Sequence, residues 1–342
     1  MGSSSNHLKR PTIHDVARAA GVSKSTVSRV LNDRGYASSE TIARVERAVA
    51  ELNYIPQASA RGLVSQQTNT VGFAVNDLST LFIPPLLSSI ESTIRTAGYK
   101  LLIATVGHQA ESASDLPLGP HNTDGLVAFA DAYSDRQIVQ FCEQGYPVVL
   151  LHRSPPAGVE CPCVNIENTS STRALINHLI RVHHKRRIIF LRGPKDQQDS
   201  LEREEGYRQA LEENDLAVDP ALIAVGGFNA DIAEQVTHEL LDASVPFDAV
   251  FAGDDEAAVG VIRALKDRSL SVPEDVAVVG FDDDYRAADI DPALTTVSVP
   301  FNEIGEEAAQ ALISYIEHGH ITSNVVSTEV VIRRSCGCQA KK

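Results

Sequence analysis

Lys24, Ser25, Ser28, Arg29 and Asn32 fall at spacings that would set them along one side of a short helix. Each is a donor or acceptor suited to base edges or phosphates. An arginine so placed can bond both acceptors of a guanine edge, worth roughly 1–3 kcal/mol of discrimination. Ser23, Tyr36 and Ser38 flank the segment with further polar groups suited to phosphate. The other side of the same helix is apolar, with Val27, Val30 and Leu31.

Short helices need partners, and the neighbouring sequence provides them. Thr12 and Asp15 form a capping-box pattern, so a helix is expected from Ile13. Ile13, Val16, Ala17 and Ala20 make its apolar stripe, and Gly21 suits its C-terminus. Ser23 can cap the second helix. A third follows Ser38, with Ile42, Val45, Val49 and Leu52 at helical spacing. Glu40–Arg44 and Arg47–Glu51 are expected as pairs on its wet side. The sum is a helix-turn-helix unit whose second helix suits a major groove.

The charge distribution agrees. The 342 residues carry a net charge of −15, which alone argues against a nucleic-acid partner. Residues 1–66, however, hold nine Lys/Arg and five Asp/Glu, a net of +4, leaving −19 for the rest. A basic head on an acidic body fits a DNA reader with a separate sensing domain. No apolar run approaches the roughly 18–20 residues of a membrane span. Met1–Arg10 is polar and unlike a signal peptide, so a cytoplasmic protein is expected. The five cysteines include two Cys-x-Cys pairs, Cys161/Cys163 and Cys336/Cys338. Their spacing and the lack of a flanking histidine cluster predict ordinary thiols, with no metal or cofactor.

Behind the head, Asn53-Tyr-Ile-Pro56 ends the third helix, because a residue before proline avoids helical geometry. Residues 57–70 read as a hinge and polar linker. From Val71, strand-like runs at Val71–Val75, Lys100–Thr105, Gly125–Phe129, Val148–Leu151, Arg187–Leu191, Ala249–Ala252 and Val276–Phe281 alternate with helix-like segments. Those helices are expected near Ile83–Ala97, Ser170–Val182, Leu201–Asn214, Ala230–Asp242 and Asp255–Asp267, with a further amphipathic stretch at Asn302–Glu317. Such alternation predicts parallel sheets covered by helices, in two α/β lobes.

Thr12–Asn32, with Glu51-Leu-Asn-Tyr-Ile-Pro56 and Ala60-Arg-Gly-Leu63 behind it, resembles the N-terminus of the lactose-repressor (LacI/GalR) family of bacterial transcription regulators. The resemblance continues to about Ser335. It implies a small all-α helix-turn-helix domain at 11–56 and a hinge at 57–70. A two-lobed α/β core like a periplasmic binding protein would follow at 71–335. The lobes would span 71–161 plus 292–318, and 162–291 plus 319–335, with three crossings between them. The implied DNA-binding set adds Thr12, Tyr54, Ala60, Arg61 and Leu63 to the residues above. Leu63 takes the place of the family's minor-groove wedge. The implied ligand positions in the cleft are Phe82, His152, Arg153, Arg203, Phe228, Asp254, Asp282 and Phe301. His152 is a departure, since many members place Asp-Arg there. Asp255 is expected to cap the helix that follows it, and Asp282 to Asp284 to be solvated.

The resemblance implies a homodimeric regulator, usually a repressor, on a palindromic double-stranded operator, controlled by a sugar or sugar phosphate. A transport-type sugar-binding protein would lack the basic head. An enzyme is not expected, since the chain shows neither a Gly-x-Ser-x-Gly nor a glycine-rich phosphate loop.

Overall fold

Three amphipathic helices close the N-terminal unit around one small core. In the computed structural model, residues 11–31, 37–54, 67–106 and 116–339 are described, and the chain divides into units Met1–Thr68 and Asn69–Lys342. Helices α1 (Ile13–Ala20), α2 (Lys24–Leu31) and α3 (Ser39–Glu51) bury Val16, Ala17, Ala20, Val27, Val45, Ala48 and Tyr54 against one another. Each helix starts at a hydroxyl residue. The N–H and hydroxyl of Thr12 donate to the Asp15 carboxylate at 2.9 and 2.7 Å. Ser23 accepts the Thr26 N–H at 3.1 Å, and Ser38 accepts the Thr41 N–H at 3.3 Å. Gly21 ends α1 in the left-handed region at φ 62°.

Arg44 corrects an expectation. It is exposed, as expected, but turns to α1 and not to Glu40. It reaches back to α1, donating to the Ala20 carbonyl from Nε (3.1 Å) and Nη2 (2.5 Å), and to the Gly21 carbonyl at 3.0 Å. The exposed carbonyls of a helix C-terminus carry partial negative charge, which a guanidinium offsets.

The second unit contains two parallel sheets. The first has six strands in the order β11-β5-β4-β3-β1-β2: β1 (Thr70–Val75), β2 (Lys100–Thr105), β3 (Leu126–Phe129), β4 (Val148–Leu151), β5 (Cys163–Ile166) and β11 (Asn324–Val326). Helices α4 (Ile83–Thr96), α5 (Asp135–Glu143) and α10 (Phe301–His318) belong to this lobe. The second sheet has the order β7-β6-β8-β9: β6 (Ile188–Arg192), β7 (Ile223–Val225), β8 (Ala249–Ala252) and β9 (Ala277–Val279). Its helices are α6 (Asn168–His183), α7 (Gln198–Glu212), α8 (Ala230–Asp242) and α9 (Asp255–Asp267).

Strands β3, β4, β8 and β9 are buried at every residue, as strands covered on both faces must be. That explains why their sequences are continuous apolar runs and were easy to place. Strands β5, β7 and β11, helix α5 and the pair below were not expected. Each of these strands has three or four residues, too few for a period to show.

The lobe boundaries need correction. Val164 pairs with Leu151 of β4, and Val325 with Asn165 of β5. Both strands therefore belong to the first sheet, not to 162–291 and 319–335. The first crossing falls between β5 and β6. The second falls after β9, and the third follows β11. Where the later crossings run side by side, β10 (Thr296–Ser298) pairs antiparallel with β12 (Glu329–Val331). The chain then returns to the second lobe, where the Val278 N–H donates to the Ser335 carbonyl at 3.0 Å.

Helices α8 and α9 touch backbone to backbone at Gly260, where a Cβ would lie 2.0 Å from the Ala230 carbonyl oxygen. Gly260→Ala should force the helices apart and cost about 1–3 kcal/mol. Thermal unfolding of the full chain should show the loss; an unchanged midpoint would contradict this contact.

Candidate functional site

The polar face expected to read DNA lies on α2. Ser23 fixes the first turn, its hydroxyl lying 2.7 Å from that of Ser25 and 2.8 Å from that of Thr26. Val27 is fully buried and sets the helix's rotation about its axis. That rotation leaves Lys24, Ser25 and Arg29 exposed and Ser28 half-buried. Thr12, Ser23 and Ser38, all in the expected DNA-binding set, are the starting residues of the three helices. The two roles agree physically, since a helix N-terminus presents free N–H groups and partial positive charge. Tyr54 is corrected. Its ring lies in the core of the head at 8% exposure, so its main role is packing. Asn32, Tyr36, Ala60, Arg61 and Leu63 lie outside the described residues.

The second site lies where the C-terminal ends of the two parallel sheets meet, the place where ligands bind open α/β sheets. From the first lobe come four rings. Phe82 stacks on Phe129 at 5.2 Å between centroids and on Phe301 at 5.1 Å. His152 lies 5.0 Å from Phe129 and 6.3 Å from Phe301. From the second lobe comes Arg203, 3% exposed, on α7. Its Nε donates to Asn168 Oδ1 at 2.9 Å, Nη1 to the Gly253 carbonyl at 2.5 Å, and Nη2 to Asp282 Oδ1 at 3.4 Å. The guanidinium lies 3.7 Å from the Phe281 ring centroid and 5.3 Å from that of Phe228.

One polar chain joins the halves. His152 Nδ1 bonds Asp199 Oδ2 at 2.8 Å. Asn168 Nδ2 donates to the other oxygen of Asp199 at 2.8 Å and to Glu202 at 3.0 Å. Because the carboxylate accepts, His152 Nδ1 carries hydrogen. His152 is 3% exposed, and its Nε2 has no hydrogen-bond partner. A buried polar atom without a partner costs roughly 1–3 kcal/mol, which a ligand group would offset.

Backbone strain gathers at the same place. Ala130 follows β3 with φ 45°, His152 follows β4 with φ 56°, Phe228 follows β7 with φ 55°, and Asp282 follows β9 with φ 108°. Left-handed backbone at non-glycine residues costs on the order of 1–3 kcal/mol and clusters at ligand sites.

The carboxylates have diverged by environment. Burial opposes the charge of Asp199, but His152, Arg203 and Asn168 outweigh it and hold the group below its ordinary value. Burial, reinforced by the charge of Asp282, pushes Asp254 up to about 8. Burial pushes Asp282 up to about 6 despite Arg203.

Of the expected ligand positions, Phe82, His152, Arg203, Phe228, Asp282 and Phe301 gather here. Arg153 does not. It turns back into the first lobe, donating to the Tyr133 carbonyl at 2.7 Å and pairing with Asp135. Its chain neighbour His152 takes the cleft side, in left-handed backbone just past the end of β4. Asp254 and Asp255 exchange their expected duties in part. Asp254 Oδ1 accepts the Ala257 N–H at 2.8 Å and caps α9. Asp255 is buried and accepts from Thr296 Oγ1 (2.6 Å) and the Asp284 N–H (2.9 Å). The three adjacent carboxylates do point apart, but they are paired, not solvated: Asp282 with Arg203, Asp283 with Arg333, and Asp284 with Arg286. No histidine cluster flanks the cysteines in sequence, yet the fold brings His178 and His183 beside Cys336 and Cys338.

Sequence reasoning missed Phe129, Asn168, Asp199 and Phe281. A signal existed for Asp199, which precedes Arg203 by four residues and so shares its helix face. None existed for Asn168, whose partners lie on a different helix.

Two family models match the chain: "Bacterial regulatory proteins, lacI family" at residues 12–57 and "Periplasmic binding protein-like domain" at residues 176–336. The HTH-type transcriptional regulator CelR of Thermobifida fusca is 35% identical over 340 residues, 96% of this chain and 98% of CelR. The HTH-type transcriptional repressor CytR of Escherichia coli is 32% identical over 95% of this chain and 96% of its own. A solved CelR–cellobiose complex aligns with TM-score 0.72 at 31% identity, over 95% of this chain and 100% of that one. The lac repressor dimer bound to operator and the anti-inducer ONPF aligns with TM-score 0.77 at 25% identity, over 96% and 99%.

Asp254 supplies a pH test. With its folded value near 8 and an ordinary value of 3.8, it holds its proton in the folded state across that interval. Its contribution to stability is full below about pH 4 and is lost as pH rises through about 8. Asp254→Asn keeps the capping oxygen and removes the ionisation. Its melting temperature should rise relative to wild type between pH 5 and pH 9, by a few degrees. A pH-independent difference would rule out the buried ionisation.

Proposed function

Since the chain belongs to the LacI family of bacterial regulatory proteins, we propose that it acts as a homodimeric repressor whose hold on a palindromic operator is set by a neutral carbohydrate. Its relatives are transcriptional regulators, and a sequence-specific DNA-binding head is joined to a ligand-binding core. The observation that carries the ligand reading is His152 Nε2, a buried nitrogen without a partner beside a stack of three phenylalanine rings. Stacked rings suit the C–H face of a pyranose, and the polar groups around them suit its hydroxyls.

The charge of the cleft supports a neutral sugar over a phosphorylated one. Asp199 and Asp282 lie among the groups that line it. Arg203 already spends donors on Asn168, Gly253 and Asp282. A phosphate would meet carboxylates without an available cationic fork. CelR is solved with cellobiose, which makes that disaccharide the first candidate to try.

The dimer reading has local support in edge strand β2, where Leu102 and Ile103 are 40% and 38% exposed. Exposed apolar residues on a sheet edge invite a partner. In the proposed cycle, paired recognition helices read the two half-sites. Ligand in the cleft changes the angle between lobes and thereby the separation of the two 57–70 hinges, where Leu63 would wedge the minor groove. Among the described residues no helix is long and apolar enough to cross a membrane.

Arg29 tests the head. Arg29→Ala should weaken binding to a selected operator by about 1–3 kcal/mol and relax preference at one base pair of each half-site. Wild-type affinity should fall steeply with added salt. Equal affinity and equal preference in the variant would remove Arg29 from the readout. Arg203 tests the cleft. A thermal-shift screen of neutral and phosphorylated sugars should find a neutral stabiliser, and Arg203→Lys should lose that shift while still binding operator. Stabilisation by phosphosugars alone would refute the neutral-ligand reading.

A further inference from the structure

Neither the head nor the cleft uses the cysteines. At the far end of α6, one ligand atom from each of His178, His183, Cys336 and Cys338 lies within 4.8 Å of all the others. The histidines occupy the last turns of α6. The cysteines flank Gly337 in the turn that follows the third crossing. His178 Nε2 is 3.2 Å from His183 Nε2. Cys338 Sγ is 3.3 Å from His183 Nε2 and 3.6 Å from His178 Nε2.

These three separations match one face of a metal tetrahedron, and Cys336 Sγ lies within 4.8 Å of the other three ligand atoms. Metal–nitrogen bonds of about 2.05 Å and metal–sulfur bonds of about 2.3 Å give edges of about 3.3 Å between nitrogens and about 3.5 Å between nitrogen and sulfur. We propose that His178, His183, Cys336 and Cys338 form a closed, structural Cys2His2 site for zinc. Two imidazole nitrogens and two thiolates are the donor set that this ion selects in tetrahedral geometry. On binding, each thiol releases its proton to water and gains a sulfur–metal bond; no electron is transferred. Four protein ligands leave no open position, so the site has no catalytic role.

The local backbone is shaped for this. Gly337 has φ 108°, and a Cβ there would come within 3.0 Å of the His183 ring. Only glycine lets the turn bring both sulfurs against the imidazoles. The turn is held in advance, because the Ser335 hydroxyl donates to the Val278 carbonyl at 2.6 Å and accepts the Thr295 N–H at 2.8 Å. Cys336, at 1% exposure, is thereby fixed against the second lobe. The ion would clasp the end of the core to the first helix of that lobe, across 155 and 160 residues of chain.

The full chain, purified under reducing conditions without chelator, should carry one zinc per chain by elemental mass spectrometry. Cobalt exchanged into it should show the strong visible bands of tetrahedral coordination and a thiolate charge-transfer band. Chelation should lower the melting temperature by several degrees, and zinc alone should restore it. Cys338→Ser, at a half-exposed position, should lose the thiolate band and the stoichiometric zinc. A Cys142→Ser, Cys163→Ser double variant should keep both. Wild-type protein that binds neither zinc nor tetrahedral cobalt would overturn the site, whatever the variants do. So would metal retained in Cys338→Ser but lost from the double variant.

Discussion

A guanidinium taken almost wholly out of water, that of Arg203, constrains the cleft side of the second lobe. Removing such a charge from water costs several kcal/mol unless it is paired and its donors are satisfied. Arg203 meets that condition only because four elements converge on it. Helix α7 carries it, the start of α6 offers Asn168, the end of β8 offers the Gly253 carbonyl, and the segment after β9 offers Asp282 and the ring of Phe281. Each partner sits at the end of an element where its backbone is set by the sheet behind it. The second lobe thus presents a rigid polar floor to the cleft. The same arrangement explains why Asp254 and Asp282 ionise reluctantly, since burial is only partly offset by one cation.

The first lobe meets that floor through His152. Its ring belongs to the phenylalanine stack, and its Nδ1 belongs to Asp199 of the other lobe. Ser154 and Gln198 add a second polar tie across the gap, with Gln198 Nε2 donating to Ser154 Oγ at 3.1 Å. Interactions of this kind are strong in a dry cleft and weak in a wet one. The relation between lobes is therefore sensitive to what fills the cleft, which is the property a ligand-controlled regulator requires. The left-handed backbone at Ala130, His152, Phe228 and Asp282 fits the same picture. Strain is tolerated there because the strands behind those residues fix both ends of each turn.

How much could be read without coordinates varied with the range of the interactions. The head was legible nearly throughout, because caps at Thr12, Ser23 and Ser38 and stripes such as Val16–Ala20 act within one or two turns. Even there, the partner of Arg44 and the burial of Tyr54 were not foreseen, since each is set by a helix distant in sequence. In the core, the long apolar strands were legible, but β5 and β11 were not, and their residues fell within the wrong lobe's range. A three-residue strand pairs according to what lies beside it, not according to its own pattern. Arg153, Asp254 and Asp255 show the same limit on a finer scale. The sequence marks a group of polar residues at a strand end, and the local turn decides which of them faces the cleft.

The sequence by itself determined the helix-turn-helix with its exposed Lys24, Ser25 and Arg29, the alternating α/β core and the opposite charges of the two. All three depend on periodicity and composition, which are properties of neighbours in the chain. Tertiary structure decided that Asn168 and Asp199 connect His152 to Arg203, and that His178 and His183 stand beside Cys336 and Cys338. Apart from local pairs such as Asp199 and Arg203 on α7, those groups lie on separate elements, tens to well over a hundred residues apart. They meet because parallel sheets fix the ends of their strands in space, and chain spacing carries no trace of that geometry.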